Sequence, residues 1–460
     1  MKEETGSFRD PAGKVFYYKN KILRKLSSDG VKRLEFIKKN LIIEESVKNN
    51  FLVKTKILNS DEKEELKLEK EICYLEHDKI PYISYPYEWS FAQLKEAALF
   101  HLDFNLFLLN HNTTLIDASA YNIQFVGNKP IFIDVLSLKK YEEGEPWQGH
   151  KQFCENFLNP LFLKSKKGLK FNNWFKGNIE GIETSEINKI LGFFDKFSYN
   201  VFVHIYLLNK IEEKFKNQKS LKINKRKTFL KKKGLVAILN QLRNYIFKLK
   251  DFKSITTWDN YSLENSYSIK ANSEKKEIVE NFFKKNYFDI VCDLGCNDGE
   301  YSQIALKNNC SKVIGFDYDL NAIEKAFIRS KNNQLDFLPL FFDASNPSSN
   351  LGWNEIERMG FNKRAKFDCV IALAFEHHLA IAKNIPLNQV VKWIVSLAPK
   401  GLIEYVPKND ITVKKMLELK GDIFSDYTIE NFEKNLNENC NIVSKNKISE
   451  TGRVIYEFEK

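Results

Sequence analysis

Four residues at alternate positions, Asp293, Gly295, Asn297 and Gly299 in VCDLGCNDGEYS, follow an apolar run and could bring backbone close to a ligand. Glycine at such a turn supplies left-handed angles and leaves space where a Cβ would intrude. The dinucleotide spacing G-x-G-x-x-G, counted from Gly295, falls on Asn297 and Glu300, and an acid there would face a pyrophosphate. A nicotinamide dinucleotide is therefore disfavoured. The spacing Asp-x-Gly-x-Gly-x-Gly fits instead, with Asn297 in place of the middle glycine. Asparagine tolerates left-handed angles better than most residues, so the turn survives the replacement.

The elements that must hold this turn are legible around it. FDIVCDL reads as a strand, GEYSQIALKNN as a helix, KVIGFDY as a strand and NAIEKAFIRSKNN as a helix. LDFLPLFF, FDCVIALAF and GLIEYVP are three more strands, with a helix in LNQVVKWIVSLA, and CNIVSKNKISETGRVIYEFEK closes the sheet as a two-stranded hairpin. Near-continuous apolar strands alternating with helices predict an α/β fold, a doubly wound, Rossmann-like parallel sheet with an antiparallel terminal hairpin. Ligands of such sheets sit at the carboxyl ends of the strands, at the switch point after the first strand. The 293–299 turn lies there.

Residues 265–460 resemble the class I S-adenosylmethionine (SAM) dependent methyltransferases. Asp293 to Gly299 is similar to that family's first motif, which contacts the methionine part of SAM. Asp317, ending KVIGFD, matches the family's acid that accepts both ribose hydroxyls; Asp319 and Asn321 stand nearer the next helix start and leave it free of capping. Asp343 in LFFDAS matches the acid that reads the adenine amino group, and could otherwise serve a polar turn. FDCVIALAFEHHL looks like the fourth strand and its substrate-facing end, and LAPKGLIEYV like the turn into the fifth. The resemblance implies SAM as cofactor and methyl transfer as activity.

Methyl transfer from a sulfonium is an in-line displacement in which the enzyme positions two reactants. A hydroxyl acceptor also needs a base, and histidine is the commonest one. His377 or His378 is the candidate base, with Glu376 orienting the imidazole or binding substrate. The tetrapeptide Asn/Asp-Pro-Pro-Tyr/Phe of amino-group methyltransferases is missing at this strand end, which favours a small-molecule or sugar hydroxyl as acceptor, with carbon still open. Tyr261 and Tyr267 are candidates to close over SAM, or for the core.

The first half reads as an α+β domain. KVFYYKN and KILRKLS are strands, a helix spans 29–40, another starts at Phe91 with apolar residues at helical spacing, and DASAYNIQFVGNKPIFID is loop, strand, turn and strand. More helix is expected over 148–209. Asp117 and Asn122 are spaced as in the kinase loop Asp-x-x-x-x-Asn, and Asp134 ends an apolar strand further on. The half therefore resembles the kinase-like phosphotransferase superfamily, which implies a site of Asp117, Asn122 and Asp134 taking Mg and ATP. It departs from that pattern: Leu115 stands where a histidine is usual, IDVLSL replaces Asp-Phe-Gly, the glycine-rich loop is missing, and Arg24, Lys25, Lys54 and Lys56 compete as the phosphate-binding cation. A phosphotransferase, or a nucleotide-binding domain without catalysis, is the alternative main activity. A plain turn at Asp117 and Asn122 is the simpler reading.

Composition bounds the rest. The chain of 460 residues, 43% hydrophobic and 13% aromatic, is too long for one core. Three segments are expected: an N-terminal α+β domain over 1–210, a basic helical connector over 211–264 and the methyltransferase domain over 265–460. The formal charge of +11 is concentrated in 214–250, which holds 13 Lys or Arg and no acid. It reads as a contact for an anionic surface or as a solvated helix; no nucleic-acid motif accompanies it. The opening MKEETGSFRDPAG has no apolar core, so no signal peptide is expected, and no apolar run suggests a membrane span. Seven cysteines without a CxxC pair read as free thiols of a cytoplasmic protein and predict no metal site.

Overall fold

The computed structural model describes residues 1–217, 230–252 and 268–460. The chain divides into a first unit, made of 1–125, 130–254 and 350–359, and a second, made of 126–129, 255–349 and 360–460.

The first unit opens with a five-stranded antiparallel sheet. Its strands are β1 (Lys2–Glu3), β2 (Gly13–Tyr18), β3 (Lys21–Leu26), β4 (Thr55–Ile57) and β5 (Tyr74–His77), in the order β1-β2-β3-β5-β4. Lys19 and Asn20, both at positive φ, make the tight turn between β2 and β3. β4 and β5 escape sequence reading because three or four residues are too few to establish an alternation. The helix Phe91–Asn110 starts from a capping box of Ser90 and Gln93. Of the face that its spacing predicts it buries Leu94, Ala97, Ala98, His101, Leu102, Asn105 and Leu109, while Leu106 is half-buried and Leu108 is buried in addition. Beyond it, β6 (Thr113–Leu115) pairs antiparallel with β9 (Leu138–Lys140), while β7 (Ile123–Val126) and β8 (Lys129–Phe132) form a two-stranded sheet.

The helical region expected over 148–209 is broken. It consists of His150–Phe153, Asn159–Lys167, Asn172–Gly177, Thr184–Ile190 and shorter pieces, with π-helical turns at Cys154–Leu158 and Phe202–Leu207. In the basic stretch, the helix Lys232–Lys248 buries Leu235, Leu239, Leu242 and Ile246, one residue per turn, and packs along the helix Phe91–Asn110. Arg243 pairs there with Asp103, Nη2 to Oδ2 at 2.9 Å. Residues 218–229 of that stretch lie outside the described residues.

The second unit is built on β10 (Phe288–Leu294), β11 (Cys310–Asp317), β12 (Phe337–Phe341), β13 (Cys369–Ala372), β14 (Lys400–Tyr405), β15 (Asn441–Lys447) and β16 (Val454–Glu459). The sheet order is β12-β11-β10-β13-β14-β16-β15. The first five strands are parallel, β16 runs antiparallel to β14, and β15 antiparallel to β16. β13 is buried throughout, as expected of a strand covered on both faces. The terminal hairpin is present as the sequence predicts. Its last strand lies inside because VIYEF is mostly buried, whereas β15 alternates partly buried and exposed residues and suits the edge.

One charged cluster is sealed inside this unit. Lys275 Nζ, from the helix Ile269–Lys285, lies 2.7 Å from Glu404 on β14; Arg453 Nη1 lies 3.5 Å from Glu404, and Arg453 Nη2 donates to Asp410 at 2.8 Å. Among the described residues, no helix is long and apolar enough to cross a membrane.

Candidate functional site

Gly295, Asn297 and Gly299 follow β10 with φ of 74°, 47° and 85°. The asparagine thus adopts the left-handed angle required of the glycine it replaces. A Cβ on Gly299 would stand 2.4 Å from Cε1 of Phe337, and one on Gly295 would stand 3.0 Å from Cδ2 of Phe375. Both positions need glycine for angle and for space.

The loop is tied to β11. Gly295 N and Cys296 N donate to Phe316 O at 2.8 and 3.1 Å, and Asn297 N donates to Asp317 Oδ2 at 2.9 Å. Asp317 Oδ1 accepts from Asp319 N at 2.8 Å. Each carboxylate oxygen can accept a second bond, so Asp317 holds the loop and retains capacity for a ligand. Capping falls to Asp319, whose Oδ1 accepts from Asn321 N at 2.7 Å at the start of the helix Leu320–Asn332. Burial pushes the Asp317 carboxyl up to about 6, against the hydrogen bonds from Asp319 and Asn297. Asp293 is sealed beneath the loop and accepts from Ser302 Oγ at 2.5 Å. Burial pushes it up to about 7, the Ser302 bond opposing and Asp317 adding. Asp343 Oδ1 accepts from Ser345 N at 3.0 Å and Ser345 Oγ at 2.6 Å, so it forms the polar turn after β12.

At the end of neighbouring β13, Ala374 takes a φ of 52°, a conformation costing a non-glycine residue about 1–2 kcal/mol. Past this strained point the chain presents Phe375 over Gly295, then Glu376 and His377. Glu376 is fully buried; its Oε1 accepts from Val406 N at 2.9 Å and from Tyr427 Oη at 2.8 Å. Its Oε2 lies 3.5 Å from His377 Nδ1. His377 is buried too, and its ring centroid lies 4.1 Å from that of His378, with the rings tilted by 37°. Among the described residues, no hydrogen bond reaches either ring nitrogen of His377. Burial, then the neighbouring His377 and Arg453, hold His378 well below the ordinary histidine range, so it is neutral. The pairing brings Glu376 to His377, and the sequence missed Tyr427 and Phe375, for which no local motif exists. Tyr261 and Tyr267 lie outside the described residues.

In the first unit, Asp117 Oδ1 accepts from Ser119 N at 2.8 Å, and burial raises its carboxyl, opposed in part by Asn122. Asp134 does not stand open to a cation as the spacing suggests. Arg24 Nη1 donates to it at 2.6 Å, Leu136 N at 3.3 Å, and Ser137 Oγ bonds its second oxygen. Arg24 also pairs with Asp10. A guanidinium thus occupies the place where Mg and ATP were expected, and nothing at this site supports them. The sequence also passes over His150, Cys154 and His204, which come together elsewhere in this unit.

A sheet whose order reverses beside β10, a left-handed loop beyond that strand and a carboxylate ending β11 make up the fold of the class I SAM-dependent methyltransferases, and the second unit has that fold. No family model matches the chain. The nodulation protein NoeA of Rhizobium meliloti (strain 1021) is 43% identical over 460 residues, which covers 99% of this chain and 95% of the relative. The chain belongs to the family of nodulation protein NoeA. Two solved structures align with about half of it. The N-methyltransferase NodS from Bradyrhizobium japonicum WM9 is 11% identical, covering 41% of this chain and 96% of its own, with a TM-score of 0.30. Magnesium protoporphyrin IX methyltransferase (ChlM) from Synechocystis PCC 6803, with bound SAM, is 17% identical, covering 46% and 86%, with a TM-score of 0.30. Scores this low add nothing to the strand order.

Proposed function

We propose that the second unit binds SAM in the 293–299 loop and transfers its methyl group to a hydroxyl of a small molecule or sugar. The observation that carries this reading is the run of left-handed angles at Gly295, Asn297 and Gly299 beside Asp317. Asp317 would accept the ribose hydroxyls and Asp343 would lie at the adenine end. SAM supplies a methyl group on a sulfonium, whose carbon–sulfur bonding pair stays with sulfur on transfer. His377 takes the acceptor proton on Nε2 while Glu376, facing Nδ1, fixes the ring orientation. His378 is the other candidate base. The nodulation relative extends the proposal to a role in nodulation.

Methyl-labelled SAM, incubated with the full chain and fractionated cell extract, tests this. Label is expected on a small-molecule or glycan fraction, to be lost in His377→Gln and retained in His378→Gln. Label on polypeptide or nucleic acid would overturn the acceptor class.

The raised carboxyls also make a pH prediction. Asp293 and Asp317 have folded values near 7 and 6, above an ordinary aspartate, so the folded unit holds more protons than the unfolded chain between roughly pH 4 and 7. The stability they contribute is complete below that window and is lost as pH rises through it. Ribose hydroxyls, in contrast, favour ionised Asp317. S-adenosylhomocysteine affinity is therefore expected to be about tenfold weaker at pH 5 than at pH 7.5, one pH unit below the Asp317 value being one decade of protonation. Calorimetry at both pH values checks this, with Asp317→Asn expected to flatten the dependence.

For the first unit we infer a kinase-like scaffold that does not transfer phosphoryl groups. The β6–β9 and β7–β8 pairs, whose connecting segments hold Asp117, Asn122 and Asp134, support the scaffold, and the Arg24–Asp134 pair argues against catalysis.

A further inference from the structure

Three ligand-type side chains converge in the first unit, apart from Asp117, Asn122 and Asp134. His150 and Cys154 are one helical turn apart, His150 opening the helix His150–Phe153 and Cys154 opening the π-helical turn Cys154–Leu158. His204 comes from the second π-helical turn, Phe202–Leu207. His150 Nε2 lies 2.8 Å from His204 Nδ1 and 3.7 Å from Cys154 Sγ, and one ligand atom from each residue lies within 4.8 Å of the others. We propose that His150 Nε2, Cys154 Sγ and His204 Nδ1 form a binding site for a zinc-class divalent cation, with the fourth position left to water.

The dimensions fit such an ion. Tetrahedral zinc, with bonds of about 2.0–2.1 Å to nitrogen and about 2.3 Å to sulfur, sets its N and S ligands about 3.6 Å apart and two N ligands about 3.3 Å apart. The distance from His150 Nε2 to Cys154 Sγ, 3.7 Å, already matches. The two imidazoles, now at hydrogen-bond distance, need to part by about half an ångström. Both ligand-bearing turns are π-helical, a distortion found mostly where side chains must be re-aimed for function. Cys154 and His204 are buried while His150 is partly exposed, so an ion can enter past His150.

The 2.8 Å contact sets the N–H of one imidazole against the lone pair of the other, so binding requires the donating ring to shift its proton to its other nitrogen. On binding, Cys154 releases its proton to solvent and coordinates as thiolate; no electron is transferred. Softness of the His₂Cys set favours zinc, cobalt or copper over magnesium or calcium.

The full chain, stripped with chelator and titrated with Co²⁺, tests the site. One cobalt per chain is expected, with a sulfur-to-cobalt charge-transfer band that Zn²⁺ abolishes. Cys154→Ser should lose the band and His150→Gln should weaken binding at least tenfold, with unchanged far-UV circular dichroism. Cys310→Ser should change nothing. If the wild-type chain binds no cobalt with such a band, or if the band survives in Cys154→Ser, the two histidines merely share a hydrogen bond and the proposal fails.

Discussion

Asp317→Ala is expected to weaken S-adenosylhomocysteine binding by two to three orders of magnitude. Two effects add. A carboxylate accepting two ribose hydroxyls makes charge-assisted bonds, each worth about 1.5–3 kcal/mol. The same carboxylate accepts from Asn297 N and Asp319 N, so its removal also frees the middle of the loop and leaves two donors to find new partners. Asp317→Asn keeps one carbonyl acceptor and is expected to fall between the two. Titration calorimetry on the full chain is the measurement, with circular dichroism to show that the fold persists. An alanine variant that binds like the wild type would remove Asp317 from the site and, with it, the proposed grip on the ribose.

The second large effect is on stability. Glu404→Gln is expected to cost the second unit about 3–5 kcal/mol, the range for breaking a buried ion pair from one side. Glu404 is fully buried and faces Lys275 at 2.7 Å and Arg453 at 3.5 Å, both of them buried. Arg453 keeps Asp410 in the variant, whereas Lys275 loses the Glu404 carboxylate 2.7 Å away. Burial already lowers the Lys275 ammonium, opposed by Glu404, so without that carboxylate it tends to give up its proton. Adding Lys275→Met to Glu404→Gln should recover most of the loss, since an apolar side chain there has no ammonium to desolvate. Denaturation of the single and double variants, followed through the transition of the second unit, checks both statements. A double variant no more stable than Glu404→Gln would mean that the pair is not the source of the cost.

What was legible in the sequence is what depends on neighbours along the chain. The left-handed turn at 295–299 follows from glycine and asparagine backbone preferences, which act within one residue. The alternation of β10 to β14 with helices follows from apolar runs of strand length, and the capped helix Phe91–Asn110 follows from its own periodicity. Asp317 was singled out because a resemblance placed it, and the structure then added its hold on Asn297. The cluster of His150, Cys154 and His204 was passed over because the expected signal, paired cysteines, is only one of several ligand patterns; a histidine four residues before a cysteine on a helix was the signal available.

The sequence by itself therefore determined the class of sheet, the left-handed loop at its switch point and the carboxylate ending β11, all products of local backbone and burial preferences. Only the tertiary structure decided which charged and polar side chains meet: Arg24 with Asp134 across 110 positions, Tyr427 with Glu376 across 51, Lys275 with Glu404, and His204 with His150 and Cys154. Such pairs leave no local trace, because a side chain buried far along the chain takes whatever partner the packing of two distant elements puts within about 3 Å, and the low-dielectric interior then makes that partner matter.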